Sequence, residues 1–208
     1  EVYRQLRPMI SERAPLVVAT KGIEQESLAL PSQVAEQALG THHPIAVLAG
    51  PSFAAELVAG LPTAVVAAAS DPMLAEQVQR SMASATLRIY SDDDPIGVQL
   101  AGALKNVIAI AAGVADGLGM GHNTQAALIT RGLAEMTRLG LAMGAHGSTF
   151  SGLAGMGYLV LTCTGDLSRN RTTGRRLGQG DTLEHNRDGA VTVAEGVTTT
   201  RTTKCQAE

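Results

Sequence analysis

The chain has 208 residues, 45% of them hydrophobic, with 16 lysines and arginines against 19 aspartates and glutamates. The net charge of −3, without a basic block, argues against a nucleic-acid partner. Two cysteines without metal or disulfide spacing, and no signal-peptide pattern, indicate a protein of the reducing cytoplasm. The length is sufficient for one large or two small domains.

The first part of the chain alternates short apolar runs with amphipathic patterns. The apolar runs predict four strands, Leu16–Ala19, Pro44–Ala49, Thr63–Ala69 and Leu87–Tyr90. Helices are predicted between the strands, over 31–39, 53–59 and 72–83. Apolar strands that alternate with helices are typical of a mainly parallel sheet covered on both faces. Residues 1–91 are therefore expected to form an α/β domain.

After residue 91 the helical period dominates. Helices are predicted over 95–115, 123–143 and 186–206, with glycine-rich joints at 117–121 and 152–157. Asp94 followed by Pro95 is a typical helix start, because it places an N-cap residue before a proline in the first turn. Residues 92–208 are expected to form a mostly α-helical domain. Because the first and last residues fall inside helical patterns, we expect the sequence to belong to a longer protein.

One lysine lies in the middle of the most apolar predicted helix. Lys105 carries the only formal charge between Asp94 and Asp116, and both candidate helix faces are apolar or small. A buried ammonium loses hydration free energy, so general acid/base work on a hydroxyl or carbonyl is one interpretation. The other is that the flexible side chain carries the ammonium to the surface. The stretch is long enough for a membrane span, but the charge at its centre argues against one.

Two predicted strands end in residues suited to ligand binding. Lys21 follows the first strand, and Gly50 and Ser52 follow the second. In open α/β sheets, ligands bind beyond the carboxyl ends of the strands. Gly50 permits a ligand to approach the backbone, and Ser52 is expected to cap the next helix and help it bind an anion. A plain strand–turn–helix joint needs the same residue types, so both interpretations remain open here.

Polar clusters later in the chain suit anionic ligands. SRNR at 168–171 combines two guanidiniums with serine and asparagine donors, which fits a phosphate or a solvated basic turn. Glu195 near a helix start either complements the helix dipole or accepts hydrogen bonds from ribose hydroxyls. The histidine pair at 42–43 has no third ligand at a useful spacing, so no metal site is expected.

Eight sequence blocks together resemble one enzyme family. They are KG at 21–22, AGPSFAAE at 49–56, GLPTAVV at 60–66, GALKNVIAIAAG at 102–113, ALITRGLAEM at 127–136, LVLTCT at 159–164, SRNR at 168–171 and VAEG at 193–196. Over nearly the whole chain they closely resemble the bacterial NAD(P)-dependent sn-glycerol-3-phosphate dehydrogenases. The resemblance implies part of a Rossmann-type sheet followed by a helical domain. It also implies interconversion of dihydroxyacetone phosphate and sn-glycerol 3-phosphate with NAD or NADP, for glycerophospholipid synthesis.

The resemblance also implies roles for individual residues. Lys105 is the implied acid/base group for the C2 hydroxyl proton, and Lys21 is expected near both substrate and nicotinamide. The positions that match substrate contacts are Lys21, Gly50, Ser52, Lys105, Tyr158, Ser168, Arg169 and Asn170. The positions that match cofactor contacts are Lys21, Ala54, Arg169, Val193 and Glu195. The implied partners are a small phosphorylated substrate and a second copy of the chain.

The sequence departs from the family pattern in three ways. No G-x-G-x-x-G precedes Lys21, so we expect the first half of the nucleotide-binding domain, and also the C-terminal end, to lie outside this sequence. His122 stands where the family often has aspartate. Where the family reads GLGDLVLT, this chain reads GMGYLVLT, so neutral Tyr158 replaces an aspartate of the lysine's network.

These departures predict a weakly active chain. We expect the 208 residues alone to have little or no dehydrogenase activity. In a full-length context, Tyr158→Asp is expected to raise the rate by about two decades or more. Two alternatives are a related reductase of a small 2-oxo or 3-hydroxy acid, which needs no substrate phosphate, and a non-catalytic remnant. Such a remnant would only dimerise or bind phosphate, and its unpaired strand edges would leave it partly unfolded.

Overall fold

The computed structural model describes residues 2–11, 13–40, 43–183 and 195–207. The strands are β1 (Leu16–Val18), β2 (Ile45–Ala49), β3 (Thr63–Ala68) and β4 (Leu87–Asp92). The helices before residue 94 are α1 (Val2–Leu6), followed by a 3-10 turn (Arg7–Met9), α2 (Pro31–Leu39), α3 (Ala54–Val58) and α4 (Pro72–Met82). The helices after it are α5 (Pro95–Gly117), α6 (Gly121–Ala142), α7 (Gly147–Ser151), α8 (Tyr158–Thr164), α9 (Arg169–Gly178) and α10 (Glu195–Ala207).

The four strands form one sheet in the order β1-β2-β3-β4. β1 and β2 are parallel, as are β3 and β4, whereas β2 and β3 are antiparallel, with Leu48 opposite Ala67. The predicted α/β class is confirmed, and the antiparallel pair is the difference from the sequence-based expectation. Its cause is the short α3, which rises only about 7 Å against about 16 Å for a five-residue strand. The chain therefore does not return to the edge of the sheet where β2 began, and β3 runs antiparallel to β2.

The helical part differs from the sequence prediction in two places. Instead of a glycine-rich joint, residues Leu153–Gly157 form a π-helical turn that leads directly into α8. Helices α7, α8 and α9 were not predicted, because they are short and α9 has no apolar period. Of the helix predicted over 186–206, the part from Glu195 on is helical. The part before residue 195 lies outside the described residues.

Helix α5 is the central element of the helical part. Every residue from Gly97 to Asn106 is buried, and α6, α8, α9 and α10 all contact this helix. By length and composition α5 could cross a membrane, but most of it is buried inside the protein. Burial by neighbouring helices therefore accounts for a sequence that is apolar on all sides.

Glycines bring α5 and α9 into backbone contact. A Cβ added at Gly113 or Gly117 of α5 would collide with the carbonyl groups of α9, and one at Gly174 or Gly178 would collide with those of α5. Each helix has two glycines four residues apart, which lie on the same face of the helix. Because these faces carry no side chain at the glycines, the two backbones pack directly against each other. This close approach positions the first turn of α9 beside the middle of α5.

A buried glutamine connects the two parts of the chain. Gln99 of α5 accepts a hydrogen bond from the Ser32 backbone N–H at 2.9 Å and donates one to the Ser32 hydroxyl at 2.9 Å. Ser32 lies in the first turn of α2, which belongs to the α/β part. These hydrogen bonds fix the position of α2 relative to α5. The division into two domains after residue 91 stays a prediction.

Asp94 both caps α5 and binds α7, as a buried carboxylate with 3% exposure. One oxygen accepts a hydrogen bond from the Gly97 N–H at 2.8 Å. The other accepts from the His146 N–H at 2.8 Å and from the Thr149 hydroxyl at 2.6 Å. The predicted start of the helix at Asp94 and Pro95 is confirmed. The contacts to α7 come from residues more than fifty positions away, and no local pattern indicates them.

Asp94→Ala is expected to lower the free energy of unfolding by about 3 kcal/mol, because it removes a cap and leaves the buried Thr149 hydroxyl without its acceptor. Urea unfolding of the purified chain measures this loss. Asp71→Ala is the matched control, because Asp71 caps the exposed start of α4 through one bond from Met73. We expect the control to lose about 1 kcal/mol. Equal losses would contradict a cross-linking role for Asp94.

Candidate active site

Lys105 lies inside the protein with only 4% of its surface exposed. Its Nζ donates a hydrogen bond to Asn106 Oδ1 at 2.7 Å and lies 4.0 Å from the centre of the Tyr158 ring. The interpretation that the side chain reaches the surface is therefore wrong. The surrounding helices bury its flexible stem, and the ammonium is held by an amide and an aromatic face.

A hydrogen-bond chain fixes the surroundings of Lys105. Asn106 Oδ1 also accepts from Asn170 Nδ2 at 3.0 Å, while Asn106 Nδ2 donates to Glu195 Oε2 at 3.3 Å. Asn170 Oδ1 in turn accepts from the Gly196 N–H at 2.9 Å. The chain joins α5, α9 and α10, so the lysine's hydrogen-bond acceptor has one fixed orientation.

Burial lowers the pKa of Lys105 to about 7. The nearby Lys21 ammonium acts in the same direction, since two positive charges disfavour each other, and Glu195 opposes the shift. Near neutral pH the side chain is therefore present both as an ammonium and as an amine. A group in this state can both donate and accept a proton, as general acid/base work requires.

Tyr158 lies between two ammonium groups. Its ring centre is 4.0 Å from Lys105 Nζ and 5.4 Å from Lys21 Nζ, and the side chain is 3% exposed. Burial raises the pKa of Tyr158, so the side chain is neutral at pH 7. Tyr158 is the first residue of α8 and follows the π-helical turn directly. Such turns frequently occur at functional sites, where they redirect a side chain.

The outer part of the site is cationic. The Arg169 side chain is 53% exposed, and its Nη2 lies 3.8 Å from Glu195 Oε1, a long ion pair with a half-exposed carboxylate. Lys21 is half-buried and lies three residues after Val18, the last residue of β1. Both positive charges act on Lys105 and lower its pKa. Three cations within mutual range favour a bound anion.

The other predicted phosphate ligands have structural contacts. The Ser168 hydroxyl caps α9 by accepting the Arg171 N–H at 3.3 Å. The Arg171 guanidinium pairs with Asp116 at 2.9 Å and Asp166 at 2.8 Å. Of the two guanidiniums in 168–171, Arg171 therefore stabilises the α5–α9 packing, and Arg169 faces solvent.

The segment after β2 differs from its prediction. The Ser52 hydroxyl donates to the Gly50 carbonyl at 3.1 Å, and α3 starts at Ala54 without a side-chain cap, so the predicted capping role of Ser52 is wrong. Gly50 has φ 153°, and a Cβ there would lie 2.8 Å from Val65 Cα, so the close approach seen is to β3. Ala54 is exposed at the start of α3. Ligand contacts by these residues stay predictions.

The remaining residues considered in the sequence are Val193 and three histidines. Val193 and His42 are outside the described residues. His43 is buried, and its Nδ1 lies 3.3 Å from the Ala14 carbonyl. His122 is exposed near the start of α6. Within the described ranges, no three histidine, cysteine, aspartate or glutamate side chains come together as metal ligands.

Sequence reasoning missed Asn106 as a site residue. Its amide contacts Lys105, Asn170 and Glu195 and is 1% exposed. The available signal was an asparagine adjacent to the lysine in a helix with few other polar side chains. A buried amide needs hydrogen-bond partners, so this position pointed to an internal network.

Comparison with known proteins identifies the family of this chain. Two family models match, NAD-dependent glycerol-3-phosphate dehydrogenase C-terminus over residues 94–208 and the corresponding N-terminus over residues 1–75. Glycerol-3-phosphate dehydrogenase [NAD(P)+] of Geobacter sulfurreducens is 56% identical over 200 residues, which cover 95% of this chain and 60% of the relative. The same enzyme of Klebsiella pneumoniae is 51% identical over 209 residues, which cover 100% of this chain and 62% of the relative.

A solved structure shows the same architecture. The crystal structure of glycerol-3-phosphate dehydrogenase from Coxiella burnetii is 40% identical and matches with a TM-score of 0.94 over 99% of this chain and 63% of that chain. The chain thus spans about 60% of the length of the curated relatives it matches. The family resemblance inferred from the eight sequence blocks is confirmed. The chain belongs to the NAD-dependent glycerol-3-phosphate dehydrogenase family.

Proposed function

We propose that this chain carries the proton-transfer and substrate-binding groups of an oxidoreductase that interconverts dihydroxyacetone phosphate and sn-glycerol 3-phosphate with NAD or NADP. The observation that carries the proposal is the Lys105 ammonium, buried beside a half-exposed Arg169. The names of the matched relatives, glycerol-3-phosphate dehydrogenase [NAD(P)+], support the same reaction. The reaction places the enzyme in the supply of glycerophospholipid backbones.

Lys105 handles the proton in both directions of the reaction. In reduction, a hydride adds to C2 of the ketone while the Lys105 ammonium donates its proton to the C2 oxygen, which gives the alcohol. In oxidation, the neutral amine takes the hydroxyl proton while the hydride leaves C2. A pKa of about 7 supports both roles, since each form is populated near neutral pH.

Arg169 is the proposed main ligand of the substrate phosphate. A guanidinium offers a planar fork of N–H donors that matches phosphate oxygens, and its long ion pair with Glu195 leaves these donors accessible. Ser168 and Asn170 hold the first turn of α9 in place through the hydrogen bonds described above. Lys21, Gly50, Ser52 and Tyr158 complete the proposed substrate positions.

The residues present fit a nicotinamide dinucleotide. Lys21 and Gly50 follow the parallel strands β1 and β2, so both lie beyond the carboxyl ends of strands, where such ligands bind. The Glu195 carboxylate is half-exposed and suited to accept hydrogen bonds from ribose hydroxyls. When bound, NAD or NADP supplies or accepts the hydride. The proposed contacts are Lys21, Ala54, Arg169 and Glu195, together with Val193, which lies outside the described residues.

A hybrid enzyme tests the proposed function. In it, this chain replaces the matching segment of the Geobacter sulfurreducens relative, and oxidation of NADPH is followed by absorbance with dihydroxyacetone phosphate, dihydroxyacetone or pyruvate. We expect turnover of the phosphorylated ketone, with kcat/KM at least about 100-fold higher than for dihydroxyacetone, because the phosphate contributes charge-assisted hydrogen bonds. The 208-residue chain alone is expected to have little or no activity.

Two outcomes would contradict the proposal. Equal turnover of dihydroxyacetone, or preferential turnover of pyruvate, would support a related reductase of a small oxo acid instead. No turnover together with no cofactor affinity in a binding titration would support a non-catalytic remnant. The unmodified Geobacter relative, assayed in parallel, is the positive control.

The proposed setting is a cytoplasmic homodimer. Cys163 is a free thiol buried beside Lys105, as expected in a reducing compartment, and burial raises the pKa of this thiol to about 12. A dimer rests on the family resemblance. Sedimentation velocity of the hybrid enzyme tests it, and a monomer at micromolar concentration would contradict it.

A further inference from the structure

We propose that the Tyr158 ring attracts both the Lys21 and the Lys105 ammonium groups, at a position where the family resemblance implies a carboxylate. In this role Tyr158 is a positioning residue. It orients the Lys105 ammonium and keeps the pH at which Lys105 releases its proton in the neutral range. The inference rests on the proposed acid/base function of Lys105 and goes beyond it. The family resemblance implies an aspartate at position 158. The inference states what its replacement by tyrosine does to the electrostatics of Lys105.

The geometry of the three side chains carries the proposal. Both ammonium nitrogens lie within about 6 Å of the ring centre, the range of cation–π attraction. The attraction is strongest where water is excluded, and Tyr158 and Lys105 are both almost fully buried. A ring face also differs from a carboxylate in carrying no net charge. It therefore orients the ammonium without forming an ion pair.

The fold fixes the direction of the ring. Tyr158 begins α8 immediately after the π-helical turn, and its carbonyl accepts the Thr162 hydroxyl at 2.7 Å. A π turn inserts an extra residue and so changes the direction of the following side chains. Gly155 within the turn packs on the Phe150 backbone, where a Cβ would collide. The ring position therefore comes from a defined backbone feature.

The charged and titratable groups near Lys105 come from several elements. Lys21, in the segment after β1, and Arg169 of α9 lower the pKa of Lys105, whereas Glu195 of α10 and Cys163 of α8 raise it. Burial is the largest influence and also lowers it. Cys163 is a neutral thiol at pH 7, so Glu195 is the negative charge that acts on Lys105. Glu195 contacts Asn106 and is half-exposed, which weakens its effect.

Changes at position 158 should therefore shift the protonation of Lys105 in opposite directions. An aspartate places a negative charge beside the ammonium, favours the charged form and moves proton release to higher pH. A leucine removes the attraction to the ring, leaves burial uncompensated and moves proton release to lower pH. A phenylalanine keeps the ring but removes the hydroxyl and its hydrogen bond with Lys21, so it is the matched control for the effect of the ring on Lys105.

The first experiment measures the protonation of Lys105 without any activity. The hybrid enzyme and its Tyr158→Phe, Tyr158→Leu and Tyr158→Asp variants are treated with acetic anhydride over a pH series, and acetylation of Lys105 is quantified by mass spectrometry. We expect the midpoint of reactivity to stay within about half a pH unit for phenylalanine, to fall by about one unit for leucine and to rise by about one to three units for aspartate. Lys21→Met is expected to raise the midpoint, because it removes the like charge.

The second experiment separates the proposal from a simple defect at position 158. If Tyr158 merely interrupts the network, Tyr158→Asp raises the rate of ketone reduction by about two decades at every pH. Under the proposal, the rate of the aspartate variant relative to that of the parent depends on pH, because both keep Lys105 protonated at about pH 6 but only the variant does so near pH 9. With a midpoint about one to three units higher, the variant should gain about 10- to 100-fold in this ratio between pH 6 and pH 9.

Clear results overturn the proposal. Identical acetylation midpoints for the phenylalanine and leucine variants, or no shift with aspartate, would show that the ring does not act on Lys105. A uniform rate gain with aspartate would show that Tyr158 is a defect. If Tyr158→Leu unfolds, as judged by circular dichroism, the aspartate and Lys21→Met midpoints decide the question. Failure of the proposed function would instead appear as absent turnover with the expected midpoints intact.

Discussion

Lys105→Met is expected to lower kcat for dihydroxyacetone phosphate reduction by about 10²- to 10⁴-fold in the hybrid enzyme, because it removes the proton donor. Methionine has a similar length and no charge, so it fills the same space inside the apolar helix packing. Asn106 Oδ1 keeps its hydrogen bond from Asn170. The loss should therefore appear in kcat, with a small effect on KM. Steady-state kinetics measure it.

The same substitution is expected to stabilise the fold by about 3 kcal/mol at pH 6, because a buried ammonium is costly. The ordinary pKa of lysine, 10.5, falls to about 7 in the folded state. Below pH 7 the ammonium destabilises the fold fully, and between these two values the unfolded chain binds more protons, so stability rises with pH. Lys105→Met should abolish this rise. Urea unfolding near pH 6 and pH 9 measures both effects.

A surface variant provides the control for both effects of Lys105→Met. Arg80 lies exposed on α4 and pairs with Glu76 at 3.1 Å. Arg80→Met should change stability by less than about 0.5 kcal/mol and leave kcat unchanged, because exposed ion pairs contribute little. A Lys105→Met enzyme with the parent rate would overturn the acid/base role. If the Lys105→Met enzyme is less stable than the parent at pH 6, the buried charge of Lys105 does not destabilise the fold.

Arg169→Gln is expected to raise KM for dihydroxyacetone phosphate by about 10- to 100-fold, because it removes charge-assisted hydrogen bonds to the phosphate. The loss should be smaller for unphosphorylated dihydroxyacetone, which has no group for Arg169 to bind, and the part of the loss that both substrates share reports the proposed contact of Arg169 with the cofactor. Comparing KM and kcat for both substrates measures the difference. Inorganic phosphate should inhibit the parent competitively and the variant more weakly.

The neighbouring arginines of α9 serve as controls for Arg169→Gln. Arg176 is exposed on the same helix, and Arg176→Gln should leave both substrates unaffected. Arg171→Gln should instead lower stability, because it breaks the pairs with Asp116 and Asp166. An equal loss with Arg169→Gln and Arg176→Gln would indicate a general charge effect. It would remove Arg169 as the specific phosphate ligand.

The amino-acid sequence by itself determined the local features of this protein. Asp94 and Pro95 mark the start of α5 within one turn of helix, and the apolar character of its whole circumference indicated a buried helix, although it left open whether the Lys105 ammonium reaches the surface. The eight sequence blocks identified the family. Such signals depend on residues a few positions apart, or on several matches in order, and need no knowledge of packing.

Only the tertiary structure decided which side chains meet. Asn170 reaches Asn106 because glycines let α5 and α9 approach at backbone distance. The π-helical turn places the Tyr158 ring against Lys105. By composition and spacing the two arginines of SRNR were equivalent, and the family resemblance alone favoured Arg169. In the structure Arg171 is bound by two aspartates while Arg169 faces solvent. Distant residues become neighbours only through backbone packing, so composition and spacing could not separate these fates.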